Sequence, residues 1–413
     1  MNEPTESPAR PRVLLLAPAI SGEATGEDYV AFKWAEALSR HVDLTVCAME
    51  TGNHTPLAEQ LPRARTITWR EPAAFRRSLR VRAMLKPQWP LLASRVYRLM
   101  SERGHEFDLA HQIMPQAMRH AVPFRRGPMP YVVGPLGGAL ATPPAFAAEV
   151  GTDPWFVRLR RFDTARLRHD PVLRASYAKA ALVLGVAPYV RRYLEEECRL
   201  PLRAYADVLE LGVDGLAPEP PRRERAGLRI LHVGRGVRTK GLRDVVRALA
   251  YLSDRPEITL TSAGEGPEIA ICREEAKRLG VADRCRFLGQ LPRAEVEPLY
   301  READIFVFPS FREPAGNVIY EAMRWGLPVI AARRGGPEHI VDEGCGLRLA
   351  VESPDQLAGD VAAAVRRLAD DPTLRESLGR GARAKIAREG LWPAKAARLA
   401  GLYREAIARG GAG

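Results

Sequence analysis

The chain has 413 residues, 46% hydrophobic and 27% charged, and a formal net charge of +12 at pH 7. At about 150 residues per domain this length predicts two or three domains with sizeable cores. The composition excludes a disordered, collagen-like or fibrous chain.

Residues 13–17 (VLLLA) form a short, wholly apolar run of the kind buried in a parallel sheet. A loop rich in glycine and acid follows at 18–28 (PAISGEATGED), then a helix over 29–39 with Val30, Trp34, Ala37 and Leu38 on one face, then a strand at 43–48. Strand, loop, helix, strand is a βαβ unit, which implies a parallel sheet with a right-handed crossover. Further strand-like runs recur at 108–111, 131–133 and 181–185.

A second series opens at 228–234 (LRILHVG). Leu242, Val245, Val246 and Leu249 repeat with helical spacing, and strand-like runs follow at 258–264, 285–289, 304–310 and 327–332. Between the series, 211–226 (LGVDGLAPEPPRRERA) has the proline and glycine content of a linker. The expected organisation is α/β: a doubly wound domain over 1–211, a linker over 212–226, a second such domain over 227–390, and an amphipathic tail helix within 391–413 packing back toward the first domain. Ligands of such sheets sit at the carboxyl ends of the strands, and the cleft between two such domains is the expected site.

The five cysteines include no C-x-x-C pair, which argues against a zinc cluster or disulfide framework and for a reducing, cytoplasmic setting. No apolar run approaches the roughly 18 residues that cross a bilayer. The start, MNEPTESPARPR, does not read as a secretory signal. Of the 62 cations only seven are lysine, a bias usual in GC-rich genomes, yet residues 63–98 carry ten cations and a single acid, Glu71. That stripe suits a solvated face or a contact with anionic lipid. Nucleic-acid motifs are missing.

Two constellations carry chemistry. In the first, a strand leads into Gly234 and Arg235, then Lys240 and Gly241, then a helix. A helix N-terminus with two cations is suited to a diphosphate, or is simply a strand–helix turn. In the second, Glu313 and Glu321 stand with seven residues between them around Gly316, at the start of a helical run. Glu313 at the loop tip can accept from sugar hydroxyls, and Glu321, one turn into the helix, can hold a ribose diol. Paired surface acids are the plainer alternative. The GPLGG run at 134–138 is either an amide-rich turn or only a tight one.

The order of motifs is G-R-x4-K-G, GEGP (264–267), FLGQL (287–291), ADIFVFPS (303–310), E-x7-E, GLPVI (326–330) and GGPEHIV (335–341). This resembles retaining glycosyltransferase family 4, with the GT-B fold of two Rossmann-like domains facing across a cleft. Residues 107–111 (FDLAH) resemble the family's D-x-x-H strand end, and 211–214 (LGVD) its linker entry. The resemblance implies that Arg235 and Lys240 grip the donor diphosphate. It implies that Glu313, with Gly234 and the amides of Ala315, Gly316 and Asn317, holds the donor, and that Glu321 binds the ribose. Gln290 and Leu291 would line the base pocket, His111 would contact the sugar, and Gly22 and Gly26 would allow close approach. The co-substrate would be a UDP- or GDP-sugar, with no metal and no resident cofactor.

Glu23, Glu27 and Asp28, with Gly137 and Gly138, are candidates for a small-molecule acceptor. A lipid-linked acceptor met through the 63–98 stripe is the alternative. A sugar-nucleotide epimerase, a glycan phosphorylase and a non-enzymatic sensor remain further classes. The first loop lacks adjacent glycines, and Ala315 stands where the family commonly has glycine or phenylalanine, so the sugar's identity stays open.

Overall fold

The structure, a computed structural model, describes residues 10–24, 26–50, 52–72, 86–151, 162–218 and 227–410. The chain divides into two compact units. Met1–Ala139, Pro154–Glu210 and Trp392–Gly413 make the first; Leu140–Asp153 and Leu211–Leu391 make the second.

The first unit is built on a seven-stranded sheet of β1 (Arg12–Leu16), β2 (Asp43–Glu50), β3 (Arg65–Arg70), β4 (Leu109–Gln112), β5 (Tyr131–Leu136), β6 (Leu182–Gly185) and β7 (Tyr205–Asp207). The spatial order is β3-β2-β1-β4-β5-β6-β7 and the pairing is parallel, with Leu14 opposite both Thr45 and Ala110. Val13 to Leu16 are fully buried, because a central parallel strand is covered on both faces. The helix Glu27–Leu38 buries Val30, Ala31, Trp34, Ala35 and Leu38. The tail helix Trp392–Gly410 packs onto it: the Trp34 and Trp392 rings meet edge-on at 5.3 Å, and Lys395 Nζ lies 5.8 Å from the Trp34 ring centre. Each buried tryptophan contributes roughly 2–3 kcal/mol through apolar burial.

The second unit holds a six-stranded parallel sheet of β8 (Leu228–Val233), β9 (Ile258–Ala263), β10 (Cys285–Phe287), β11 (Ile305–Phe308), β12 (Val329–Ala332) and β13 (Gly346–Leu349). Its order is β10-β9-β8-β11-β12-β13. Chain order reverses between β1 and β4 in one sheet and between β8 and β11 in the other, the switch points at which doubly wound sheets bind ligands. The helix Leu242–Ala250 sets Leu242, Val245, Val246 and Leu249 into a core shared with Ile230, Leu260, Ile305 and Val307.

Several differences from the sequence reading have physical causes. The strands β3, β7 and β13 were not anticipated. They lie at sheet edges, and their short runs, RTITWR, YAD and GLRL, have no continuous apolar stretch. The first domain was drawn as 1–211, but Leu140–Asp153 belongs with the second unit. Phe146 is the reason: it is fully buried in the second core, its ring 4.3 Å from that of Phe311. Residues 219–226 of the expected linker lie outside the described residues, as do Arg76, Arg77, Arg80 and Arg82 of the basic stripe. Among the described residues, no helix is long and apolar enough to cross a membrane, and no group of three or more His, Cys, Asp or Glu side chains is arranged to hold a metal.

Candidate functional site

The second unit brings its two sequence constellations together because β8 and β11 are hydrogen-bonded neighbours. Parallel strands release their loops on the same sheet edge, so the loop after β8 and the loop after β11 emerge side by side. They are tied directly. Ser310 Oγ donates to the Thr239 carbonyl at 2.8 Å. Gly241, at φ 80°, lets the chain pass so close that a Cβ there would lie 2.5 Å from the Pro309 carbonyl oxygen. His232, on β8, reaches the Lys240 carbonyl through Nε2 at 3.1 Å. That nitrogen must carry the proton, since a carbonyl can only accept. Burial pushes the His232 pKa down to about 4.

Lys240 and Glu313 meet in this arrangement as an ion pair, with side-chain exposures of 12% and 13%, and the Lys240 ammonium stands 5.8 Å from the centre of the Phe308 ring. Arg235 is exposed, and no ion pair involving it occurs among the described residues. Gly234 donates to the Ala263 carbonyl at 3.0 Å, and Gly264 to the Gly289 carbonyl at 2.8 Å. These bonds align the ends of β8, β9 and β10, so Gly234, Arg235 and exposed Gln290, with half-buried Leu291 after it, share one edge of the sheet.

Gly316, at φ 91°, turns the chain into the helix Asn317–Arg324, which has no side-chain N-cap. Its first amides therefore lack the usual side-chain acceptor. Ala315 is buried just before it. Glu321, in the second turn, accepts from the Tyr300 hydroxyl at 3.1 Å, and its other oxygen is 3.9 Å from Arg293. Burial raises the Glu321 pKa, against the pull of Arg293 and the Tyr300 hydrogen bond. Tyr300 lies in the helix Arg293–Glu302 and is buried. Sequence reasoning passed over it, and one tyrosine 21 positions from its partner leaves no local signal.

In the first unit the candidates divide. His111, at the end of β4, is 0% exposed. Its Nε2 bonds the Gly134 carbonyl at 2.6 Å and its Nδ1 the Tyr403 hydroxyl at 2.6 Å. The carbonyl fixes the proton on Nε2, so Tyr403 donates to Nδ1. Burial pushes the His111 pKa down to about 4, which keeps the ring neutral. Both nitrogens are engaged inside the unit, joining the tail helix to β4 and β5.

Gly22 donates to Gln60 Oε1 at 2.8 Å, and Gly26 caps the helix Glu27–Leu38 at φ 67°. A cavity of about 170 Å³ opens beyond β1 and β2, lined by Ser21, Asp28, Glu50, Asn53, His54 and Thr55 among others. Of the three acidic acceptor candidates only Asp28 lines it. Glu23 accepts from Thr55 Oγ1 at 2.5 Å and lies 3.3 Å from His54, and the Thr55 hydrogen bonds lower its pKa. Glu27 pairs with Lys86 at 2.9 Å. Of the GPLGG run, Gly134–Leu136 end strand β5 and do not form a turn; beyond them Gly137 donates to the Gln116 carbonyl and Gly138 to the Tyr189 hydroxyl. Elsewhere in the basic stripe, Arg65 pairs with Glu106 at 2.9 Å and Arg95 lies 5.9 Å from the Trp69 ring centre.

Two parallel doubly wound sheets, each with its strand order reversing at a switch point, are the GT-B fold. The Anabaena protein HepE, solved in complex with UDP and glucose, has the same fold. It superposes over 95% of this chain and 99% of its own, with a TM-score of 0.62 at 19% identity. Residues 219–385 match the family described as glycosyl transferases group 1. Over 200 residues the chain is 35% identical to the glycogen synthase of Mycobacterium tuberculosis, covering 48% of this chain and 47% of that protein. It is 38% identical over 187 residues to the D-inositol 3-phosphate glycosyltransferase of Corynebacterium glutamicum, covering 43% and 44%. The matched stretch thus spans less than half the length of these curated relatives.

Proposed function

We propose that this protein transfers a hexose from a UDP- or GDP-sugar to a small-molecule acceptor with retention of anomeric configuration, in the manner of glycosyltransferase family 4. The observation that carries the reading is the meeting of Lys240 with Glu313 on neighbouring loops at the switch point of the second sheet. A cation for the departing diphosphate and a carboxylate for sugar hydroxyls are thereby held within one contact of each other. HepE, similar in fold, was solved with UDP and glucose, which supports a nucleotide sugar as donor.

In this reading Arg235 and Lys240 stabilise the negative charge that grows on the leaving diphosphate, assisted by the dipole of the helix that starts at Asn317. Glu313 orients the sugar, Glu321 takes the ribose hydroxyls, and Gln290 and Leu291 border the base. The bond from anomeric carbon to phosphate oxygen breaks through an oxocarbenium-like state. The acceptor attacks from the same face and its proton passes to the departing phosphate. Catalysis is then mostly electrostatic and positional, with the positive charge supplied by side chains and without a resident cofactor. The cavity that Asp28 and Glu50 line favours a small polar acceptor, and a cytoplasmic setting suits the free thiols.

A thermal-shift screen with UDP-, GDP-, ADP- and TDP-sugars tests the reading. A true donor at 100 times its Kd adds about 2.7 kcal/mol of stability. If no nucleotide sugar shifts the transition, the donor reading is wrong.

A further inference from the structure

Between Arg235 and Lys240 the loop makes a single helical turn, Arg238–Lys240, too short to hold its own shape. What holds it is Arg238. Its side chain is 2% exposed, and its guanidinium forks onto Asp244 with bonds of 2.6 and 2.8 Å and donates to Glu149 at 2.7 Å. The same guanidinium packs against the paired Phe146 and Phe311 rings, 5.4 and 5.2 Å from their centres. Glu149 in turn accepts from Arg247 at 2.8 Å. Thr142, on the same short segment, receives Arg312 at 3.0 Å, one residue before Glu313.

We propose that Glu149 is a positioning residue for the donor: by fixing Arg238 it sets where Lys240 and Arg235 meet the diphosphate. The proposal rests on the donor reading above. Glu149 lies outside the stretch that matches the family and has no motif of its own. It acts from a segment, Leu140–Asp153, that grips both donor-facing loops of the second unit at once. The geometry distinguishes this from ordinary core packing. Asp244 is fully buried on the helix behind the loop, and Glu149 completes the shell of carboxylates around a guanidinium in the loop itself. Charge-assisted bonds to a planar fork fix orientation as well as distance. A loop displaced by about 1 Å is enough to cost two orders of magnitude where a charge must meet a developing charge.

The test is a double-mutant cycle on nucleoside diphosphate binding, measured by calorimetry well below the melting transition so that only folded protein is read. E149Q is expected to weaken binding about 10-fold and to raise KM for the nucleotide sugar in step. In a K240M background the same change should have at most about a 3-fold effect, because it acts largely through Lys240. In an E321A background it should keep its full effect. E149D retains the charge with a shorter reach. It is expected to bind with intermediate affinity, and it carries the test if E149Q does not fold.

A lower melting temperature with unchanged Kd and KM in both variants would overturn the proposal, leaving Glu149 a packing residue. An equal loss in wild-type and K240M backgrounds would overturn it too. If the wild type binds no nucleoside diphosphate, or K240M binds it as well as the wild type, the donor reading itself has failed and this proposal falls with it.

Discussion

Glu313→Gln should tighten the binding of the free nucleoside diphosphate while weakening that of the sugar-bearing donor. In the structure Lys240 is held by Glu313, and both side chains are mostly covered, at 12% and 13% exposure. A diphosphate has to draw the ammonium away from that carboxylate. Two unit charges at about 4 Å interact by roughly 4 kcal/mol at an effective dielectric constant of 20, before desolvation and side-chain entropy are set against it. Exposed pairs net 0–1 kcal/mol, and a mostly covered pair should net about 1 kcal/mol, or ~5-fold in Kd. The neutral amide of glutamine releases Lys240, so the diphosphate gains that factor. The sugar, however, loses a charged acceptor for its hydroxyls, at about 1.5–3 kcal/mol. Release of Lys240 helps both ligands alike, so the preference for nucleotide sugar over nucleotide should fall by the sugar's loss alone, roughly 10- to 150-fold. Calorimetric titration with both ligands reads the two signs separately. Removing a carboxylate also removes plain repulsion, so the pair is measured again in a Lys240→Met background, where release of the lysine can contribute nothing. Weaker diphosphate binding in the glutamine variant, or the same gain with and without Lys240, would refute competition between Glu313 and the diphosphate.

Lys240→Ala should cut kcat/KM about 100-fold with the fold intact, because it removes charge stabilisation that grows as the nucleotide leaves; activity within twofold of wild type would sink the diphosphate assignment. Glu321→Ala should weaken the free nucleotide and the nucleotide sugar alike. Tyr300→Phe, which removes the 3.1 Å bond orienting that carboxylate, should show about 1 kcal/mol of the same loss; a variant indistinguishable from wild type by titration would assign Tyr300 to packing alone. Stability should fall as pH drops from about 6.5 to 4. His111, His120 and His232 are buried, and burial pushes each pKa down to about 4. The unfolded chain binds their protons near pH 6.5 and the folded chain only near 4, so the contribution is full above 6.5 and disappears across that window. Each histidine accounts for on the order of 3 kcal/mol, while Glu321, with its raised pKa, works the other way. Urea unfolding at pH 7, 6 and 5 that gave a flat free energy would contradict the buried neutral rings.

What the sequence made legible follows from how local the cause is. The buried strands β1, β11 and β12 read clearly because a parallel strand covered on both faces has to be a continuous apolar run. The loops after β8 and β11 read clearly because glycine, a cation and a helix start occur within a few residues. Their meeting depends on the strand order: β8 and β11 are adjacent parallel strands that bring their loops to one edge, so Lys240 and Glu313 become neighbours although 73 residues apart. Residues held by distant partners have the opposite character. His111 has the right residue at the right strand end, but its role depends on Tyr403, 292 positions away on a helix that returns to the first unit. Glu149 depends on arginines 89 and 98 positions downstream. A side chain whose partner lies across such a separation carries no periodicity and no spacing rule, so it looks like any surface acid or any core histidine until the chain is folded. That difference also orders the candidates by the kind of evidence they need. Lys240, Glu313 and Glu321 can be tested as ligand contacts. Glu149 and His111 can be tested only through what they hold in place, which is why their variants require readouts on folded protein rather than loss of activity alone.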